Sequence, residues 1–239
     1  MKAKKVLLLA IILIILFITS CKPNFNDETL ELKIITHDSF SVSEDVIKSF
    51  EKKNDVKVVF IQSGDTGSAV NRVILTKDAP LADVFYGIDN TYLTRALEAD
   101  IFEPYQSELL SEIDDVFYDG TGNMISPVDF GDVCINYDRS YFEENDLSVP
   151  MRFEDLLKPE YKDLLVVENP ATSSPGLAFL LATVSYFGTG DYLDYWDDLS
   201  SNGVVVVNDW ETAYYSNFSG SSGKGLQPMV VSYGSSPPA

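Results

Sequence analysis

The sequence predicts an α/β protein of two lobes, each with a mixed or parallel sheet flanked by helices. From residue 32 onward, short β-branched segments alternate with amphipathic segments, as is typical of sheets covered by helices. An acidic, irregular stretch follows over 106–126, and a second alternating series begins after it. We therefore predict a first lobe over 30–127 and a second lobe over 128–239.

The first lobe is predicted to alternate strands with helices. Strands are expected where β-branched residues cluster, and helices where apolar residues recur every three or four positions. The predicted strands cover 32–36, 56–61 and 82–86, and the predicted helices lie around 42–50, 70–74 and 92–97. A closing segment at 101–105 leads into the acidic connection.

The second lobe repeats this alternation. Its predicted strands cover 128–137, 164–167, 204–207 and 229–231. Its predicted helices lie near 153–157, over 176–187 and after Trp210. Pro159 ends the first of these helices, because proline cannot continue a helix. The Ser/Gly-rich stretch 219–223 is expected to be a flexible loop.

The N-terminus is typical of an export signal. Lys2, Lys4 and Lys5 precede an apolar run over 6–18. As a helix this run would span roughly 20 Å, less than the ~30 Å of a bilayer core. Residues 18–21, which end in Cys21, resemble the lipobox of bacterial lipoproteins. We expect a signal peptide over 1–20, lipidation of Cys21, a solvated tether over 21–29, and an extracytoplasmic protein anchored in the membrane.

Net charge and cysteine content exclude several classes of protein. The formal charge is −20, and it becomes −23 when the three lysines of the signal peptide are removed. Such a surface repels phosphate backbones, which argues against a nucleic-acid partner. With Cys21 lipidated, only Cys134 remains, so no disulfide can form within the chain. The apolar neighbours of Cys134 predict a small buried side chain.

No enzyme motif is evident. The chain has no Gly-x-Ser-x-Gly motif and no Cys/His cluster, and His37 is its only histidine. Asp132 and Asp138 flank a predicted strand, and we interpret them as solvated strand ends rather than as a catalytic pair. We therefore predict neither catalysis, nor a metal site, nor a cofactor.

Two loops and a group of aromatic residues could bind a ligand. The loops at 64–68 and 169–176 each follow a strand and open a helix, where free backbone N–H groups favour anions. Ordinary helix caps would look the same. Aromatic residues cluster after the strands of the second lobe, and they could stack on a flat cation. These residues are Trp210, Tyr214, Tyr215 and Tyr233, although packing within a helix would also explain Tyr214 and Tyr215.

Several motifs in one order resemble the thiamine-binding proteins of bacterial ABC importers. They include Thr-His-Asp-Ser-Phe at 36–40, Gly-Asp-Thr-Gly at 64–67, Pro-Val-Asp-Phe-Gly-Asp at 127–132, Trp-Glu-Thr-Ala-Tyr at 210–214 and Ser-Tyr-Gly-Ser-Ser-Pro at 232–237. The resemblance covers nearly all of 32–239. It implies the type II periplasmic-binding-protein architecture, with thiamine or a thiamine phosphate bound between the lobes.

The resemblance also implies roles for individual residues. Those at the phosphate end of the ligand would be Asp65, Thr66, Thr172, Ser173 and Ser174. Trp210 and Tyr233 would pack on the rings, with Tyr214 nearby, and His37 and Asp38 would belong to the same site. Relatives often have tyrosine where this chain has His37.

Partners and alternatives follow from the same resemblance. The closed protein would deliver its ligand to a membrane permease with its ATPase. Relatives continue well past the Ser-Pro motif at 236–237, so we expect a chain whose first lobe lacks its C-terminal return segment. Two alternatives stay open: a carrier of iron(III), a polyamine or a phosphonate, or an enzyme of thiamine or pyrimidine metabolism with Cys134 as nucleophile.

Overall fold

A computed structural model describes residues 29–118 and 120–237. The predicted signal peptide, Cys21 and the tether as far as residue 28 lie outside the described residues. In the described part of the chain, no helix is both long enough and apolar enough to cross a bilayer.

The first lobe contains a three-stranded parallel sheet. Its strands are β1 (Leu30–Thr36), β2 (Val56–Gln62) and β3 (Val84–Phe85), in the order β2-β1-β3. The register pairs Leu30 with Val56 and Ile34 with Val84. Three helices connect and follow the strands: α1 (Glu44–Asn54), α2 (Thr66–Leu75) and α3 (Asn90–Glu98). The predicted alternation of strands and helices is confirmed here.

The core of the first lobe lies between α2, α3 and one face of the sheet. Val70, Tyr92 and Ala96 are buried there, and Phe85 packs against them. Helix α1 on the other face has no buried residue, and a groove of about 420 Å³ separates it from β1 and β2. Phe40 and Phe60 are among the residues that line this groove.

The connection between the lobes carries two 3₁₀ helices, Glu108–Glu112 and Asp115–Phe117. Each begins with a side-chain cap, from Ser107 and Asp114 respectively. The prediction of an irregular connection therefore holds apart from these short turns.

The second lobe contains a mixed sheet of four strands. These are β4 (Val133–Tyr137), β5 (Leu165–Glu168), β6 (Val205–Val207) and β7 (Met229–Tyr233), in the order β4-β7-β5-β6. Strand β4 is antiparallel to β7, whereas β5 is parallel to both of its neighbours. The helices are α4 (Arg139–Glu144), α5 (Ser174–Ser201) and α6 (Ser219–Ser222). Two 3₁₀ helices, Phe153–Leu157 and Pro159–Tyr161, and a π-helix, Thr212–Asn217, complete the lobe.

Strand β5 divides the core of this lobe, because its side chains alternate between the two faces of the sheet. Leu165 and Val167 pack with Phe179 and Leu199 of α5 on one face. Val166 packs on the other face with a second cluster, which contains Ala213, Tyr214 and Phe218. Strand β5 is buried at every position and lies inside the sheet rather than at its edge. The loop 169–173, which follows β5, therefore begins in the middle of the sheet.

Several predicted bounds are wrong. Strand β4 begins at Val133 rather than at 128, and β3 has only two residues. Helix α5 continues past 187 to Ser201, with a break at Gly188, whose φ of 81° is in the left-handed region. Glycine tolerates this conformation, so a second helical segment resumes directly after the break.

The prediction of a flexible loop at 219–223 is also wrong, because helix α6 occupies this stretch. The Ser219 hydroxyl donates to Asp138 Oδ2 at 2.6 Å, and the Ser219 N–H donates to the Gln227 carbonyl. These contacts with other parts of the lobe override the weak helix propensity of serine and glycine. Gly223 ends the helix with a φ of 69°.

Cys134 is exposed, so the prediction that it is buried is wrong. Its neighbours Val133 and Ile135 pack against the core from the other face of β4. Because β4 is an edge strand, its outer face is not covered as a central strand would be. A short apolar run alone does not distinguish an edge strand from a central one.

Candidate functional site

The two lobes meet where helices α2 and α5 begin. The Gly67 N–H donates to the Thr172 carbonyl at 2.9 Å, and the Tyr92 hydroxyl donates to the Pro170 carbonyl at 2.7 Å. Burial raises the pKa of Tyr92 to about 12, so its hydroxyl stays protonated and remains a donor at neutral pH. These contacts hold the lobes in a closed arrangement.

Asp65 provides a further link between the lobes. Its Oδ1 accepts the Thr66 N–H at 3.3 Å, at the N-terminus of α2, and its Oδ2 accepts the Trp210 N–H of the second lobe at 3.1 Å. Burial raises the pKa of Asp65, while these donors oppose the rise. The Ser173 hydroxyl lies near enough to lower this pKa too, although it falls outside hydrogen-bonding geometry.

A small cavity between the lobes has an acidic and aromatic lining. It measures about 20 Å³, which is room for about one water molecule. Any organic ligand therefore requires the lobes to separate before it enters. The lining residues are Asp38, Ser39, Asp65, Asp209, Trp210 and Glu211. Four carboxylates beside an indole ring favour a cation with a flat ring system.

The indole of Trp210 is held rigidly. It stacks on Tyr214 with ring centroids 5.0 Å apart and planes 15° apart, and its edge meets Tyr215 at 5.3 Å. Its Nε1–H donates to Ser232 Oγ at 2.8 Å. Tyr214 is only 4% exposed and packs against Phe218, so it lies behind the indole.

His37 lies at the edge of the cleft in the first lobe. Its Nδ1 is 2.9 Å from Ser39 Oγ, and its ring is 6.2 Å from that of Tyr86. Gly87 has a φ of 101°, and a Cβ there would lie 2.5 Å from His37 Cδ2, so this glycine makes room for the imidazole. Burial lowers the pKa of His37, and four carboxylates oppose the shift without reversing it. These belong to Asp65, Asp38, Asp129 and Glu211.

The threonine hydroxyl groups of the predicted site donate hydrogen bonds to backbone carbonyls and so stabilise its loops. The Thr66 hydroxyl donates to the Gly87 carbonyl at 2.9 Å, and the Thr172 hydroxyl donates to the Asn208 carbonyl at 2.6 Å. Asp38 Oδ1 accepts the Gly64 N–H at 2.8 Å, which fixes the turn before α2. These side chains shape the loops around the cavity.

Three other predicted site residues are largely buried. Ser173 and Ser174 are no more than 1% exposed, at the N-terminus of α5, and neither hydroxyl has a hydrogen-bond partner among the described residues. Tyr233 ends β7, and its pKa is raised by burial and then by the nearby acids, including Asp89 and Asp65. Of the predicted residues, Asp38 and Asp65 of the first lobe and Trp210 of the second thus line one cavity, whereas the others are not among its lining residues.

Sequence reasoning missed three residues of this region: Tyr92, Asp209 and Glu168. Asp209 accepts the Thr212 N–H at 2.7 Å and so starts the turns that follow Trp210. Glu168 is fully buried, and burial, followed by the charges of Asp65 and Asp209, raises its pKa to about 9. An acidic residue that directly follows an apolar strand was the available signal for Glu168.

Two features bear on catalysis and metal binding. Within 29–118 and 120–237, no three His, Cys, Asp or Glu side chains are close enough to hold a metal ion together. Partial removal of the thiol from solvent, and then the charge of Asp132, raises the pKa of Cys134 above its usual value, although the residue as a whole is exposed. A thiol with a raised pKa is a poor nucleophile at neutral pH.

Comparisons with known proteins identify similar sequences and similar structures. Residues 79–221 match the family model described as bacterial extracellular solute-binding protein. The thiamine-binding periplasmic protein of Brucella abortus is 32% identical over 216 residues, which are 87% of this chain and 60% of that relative. The chain thus spans about 60% of the length of this relative and of its counterparts in two other Brucella species.

Solved structures show the same architecture. A periplasmic thiamin binding protein superimposes with a TM-score of 0.74 at 24% identity, over 87% of this chain and 63% of that protein. The periplasmic binding protein AfuA of Actinobacillus pleuropneumoniae, with fructose-6-phosphate bound, superimposes with a TM-score of 0.70 at 24% identity, over 85% of this chain and 63% of that protein. The type II periplasmic-binding-protein fold implied by the motifs is confirmed.

Proposed function

Because this chain belongs to the family of bacterial extracellular solute-binding proteins, we propose that it captures thiamine or a thiamine phosphate and delivers it to a membrane permease. The protein acts as a carrier rather than an enzyme. The permease and its ATPase then move the ligand into the cell. Neither a cofactor nor a nucleic-acid partner enters this cycle.

The single observation that carries the proposal is the lining of the cavity between the lobes. Thiamine is a cation with two flat rings, and the cavity combines carboxylates with the indole of Trp210. A cation over an indole face gains about 0.5 to 2 kcal/mol. The thiamine-binding relatives and the thiamin-binding structure support this choice of ligand.

Within this proposal, the aromatic residues bind the rings. Trp210 and Tyr233 pack on the ligand, while Tyr214 supports the indole from behind, since it is already buried against it. His37 and Asp38 border the ligand from the first lobe. The imidazole of His37 is neutral, because burial lowers its pKa. A charged imidazolium at the same position would repel a cationic ligand.

The two helix N-termini receive the other end of the ligand. The buried hydroxyls of Ser173 and Ser174, at the N-terminus of α5, suit a hydroxyl or phosphate group. Thr66 and Thr172 keep the two loops in place through the bonds described above. Asp65 faces this end as well and joins the lobes around the ligand.

Capture and release follow from hinge motion of the lobes. The cavity of this arrangement is too small for thiamine, so the ligand binds to an open form. The lobes then close again through the contacts at the starts of α2 and α5, while the side chains that line the cavity move aside for the ligand. The closed form is the one presented to the permease. Lipidation of Cys21 would keep the protein at the outer surface of the cytoplasmic membrane, within reach of that permease.

Two other functions fit less well. An iron(III) carrier needs converging tyrosines, and Tyr233 is followed by Gly234 rather than by a second tyrosine. Carriers of polyamines or phosphonates would share the fold, but these ligands have no flat ring that could stack on the rigid indole. An enzyme that used Cys134 would need a more acidic thiol than this one.

The proposal is tested by isothermal titration calorimetry with thiamine, thiamine monophosphate and thiamine diphosphate, and with spermidine and iron(III) citrate for comparison. We expect saturable binding of at least one thiamine compound. We expect weak or no binding of spermidine and of iron(III) citrate. Preference for iron(III) or for spermidine over all three thiamine compounds would contradict it.

A further inference from the structure

A buried carboxyl group lies on the same face of the second sheet as Trp210. Glu168 pairs with Val207 across β5 and β6, and laterally paired residues point to the same side of a sheet. Val207 packs in the cluster of Tyr214 and Trp210. The side chain of Glu168 is therefore on the side of the sheet that carries the aromatic half of the cleft.

The register with β7 gives the same placement. Val166 pairs with Val230, so Glu168 lies level with Ser232, two residues further along. Ser232 is the residue that accepts the hydrogen bond from the Trp210 indole. The N-terminus of α5 packs directly against the backbone at the end of β5. A Cβ on Gly176 would lie only 2.3 Å from the Glu168 carbonyl oxygen.

Glu168 has no compensating partner in this enclosure. It is fully buried, and within 29–118 and 120–237 neither carboxylate oxygen has a hydrogen-bond partner outside its own residue. The titratable groups that face it are Asp65 at the N-terminus of α2, Asp209 after β6 and Tyr233 at the end of β7. None of them supplies positive charge at neutral pH. An isolated buried carboxylate is strongly unfavourable, so this carboxyl is protonated in the ligand-free protein.

We propose that Glu168 is a proton-linked subsite for the cationic ring of the ligand: it carries its proton in the ligand-free protein and releases it to solvent when the cation enters the cleft. This inference rests on the proposed function. A fixed positive charge beside Trp210 favours the carboxylate over the carboxylic acid, and that carboxylate then attracts the cation in return. The proton passes to the buffer, and no covalent bond within the ligand changes.

The sign of the pH dependence follows directly. Burial raises the pKa of the free-state Glu168 carboxyl to about 9, and the bound cation lowers it. Between these two values binding releases a proton, so affinity rises with pH. With full coupling the Kd falls about tenfold for each pH unit in this range.

The test is isothermal titration calorimetry of the purified protein with thiamine at pH 7.5, in HEPES and in Tris. These buffers have different ionisation enthalpies, so the difference in binding heat gives the number of protons exchanged. We expect release of about one proton by the wild type and a Kd that falls between pH 7.0 and pH 8.0.

Two variants identify the source of the proton. Glu168→Gln keeps a neutral side chain of the same shape, and we expect it to release no proton and to bind thiamine with the same Kd at pH 7.0 and pH 8.0. Glu160→Gln, an exposed substitution in the same lobe, should release as many protons as the wild type. Thiamine binding by the wild type without proton release would overturn this inference alone, as would equal release by Glu168→Gln. No thiamine binding by the wild type would contradict the proposed function as well.

Discussion

Substitution of Gly67 tests whether closure of the lobes is needed for binding. Gly67 lies in the first turn of α2, directly against the loop of the second lobe. A Cβ at this position would lie 2.5 Å from the Tyr92 hydroxyl oxygen and 2.9 Å from the Ala171 carbonyl oxygen. Since one of these atoms belongs to the backbone, Gly67→Ala must push the two lobes apart.

The cost can be worked out from the bonds that this movement disturbs. The Gly67 N–H bond to Thr172 and the Tyr92 hydroxyl bond to Pro170 both cross between the lobes. Each such bond contributes about 0.5 to 1.5 kcal/mol net. Loss of both therefore costs about 1 to 3 kcal/mol of closure energy, which raises the Kd for thiamine by about 5- to 150-fold.

The assay is titration with thiamine, with a thermal melt of each variant to show that it is folded. Gly190→Ala is the matched control, because Gly190 is helical and its Cβ would meet no atom within 4 Å. Tyr92→Phe removes only the hydroxyl and should weaken binding about 2- to 10-fold. Unchanged thiamine affinity in a folded Gly67→Ala protein would refute the role of closure.

Three further predictions concern the aromatic anchor, the histidine and the lipid. Trp210→Ala should weaken thiamine binding by about 1 to 3 kcal/mol, because it removes a rigid, partly buried indole. In the Glu168→Gln background, thiamine affinity should fall as the pH drops below 6.5 through the lowered pKa of His37, because an imidazolium repels the cation, and His37→Asn should remove this loss. Cys21→Ala should abolish lipid labelling and release the protein from membranes.

Each of these predictions has a control and a contradicting outcome. Trp196 donates to Thr183 inside the second lobe, so Trp196→Phe should leave binding unchanged while Trp210→Ala does not. Equal effects of the two substitutions would argue against the anchor. A flat affinity profile below pH 6.5 in Glu168→Gln would rule out the effect of His37. Membrane association that survives Cys21→Ala would show that lipidation does not anchor the protein.

The sequence predicted those parts of the fold that depend on local patterns. The β-branched segments at 32–36 and 56–61 became β1 and β2, and the helix after Gly64 begins at Thr66. Polar residues that follow strands identified the loops of Asp65 and Ser173, because the carboxyl ends of strands in such sheets meet at the cleft. Periodicity and turn chemistry were sufficient for this level of description.

Features that depend on tertiary contacts were beyond the sequence. Cys134 is exposed because β4 is an edge strand. A short apolar run predicts a strand but does not predict its place in the sheet. Tyr92 looked like a core residue of an amphipathic helix, yet its hydroxyl reaches the other lobe. The sequence assigned no role to Glu168, because its complete burial depends on elements that are distant along the chain.

The central claim is that thiamine binds between the lobes against Trp210. A crystal structure of the protein grown with thiamine tests it most directly. We predict thiamine in the cleft, with its cationic ring on the Trp210 indole and within about 6 Å of the ring centroid, and with its hydroxyl end near the N-terminus of α5. Thiamine bound elsewhere, for example in the groove between α1 and the first sheet, with the cleft empty, would contradict the account.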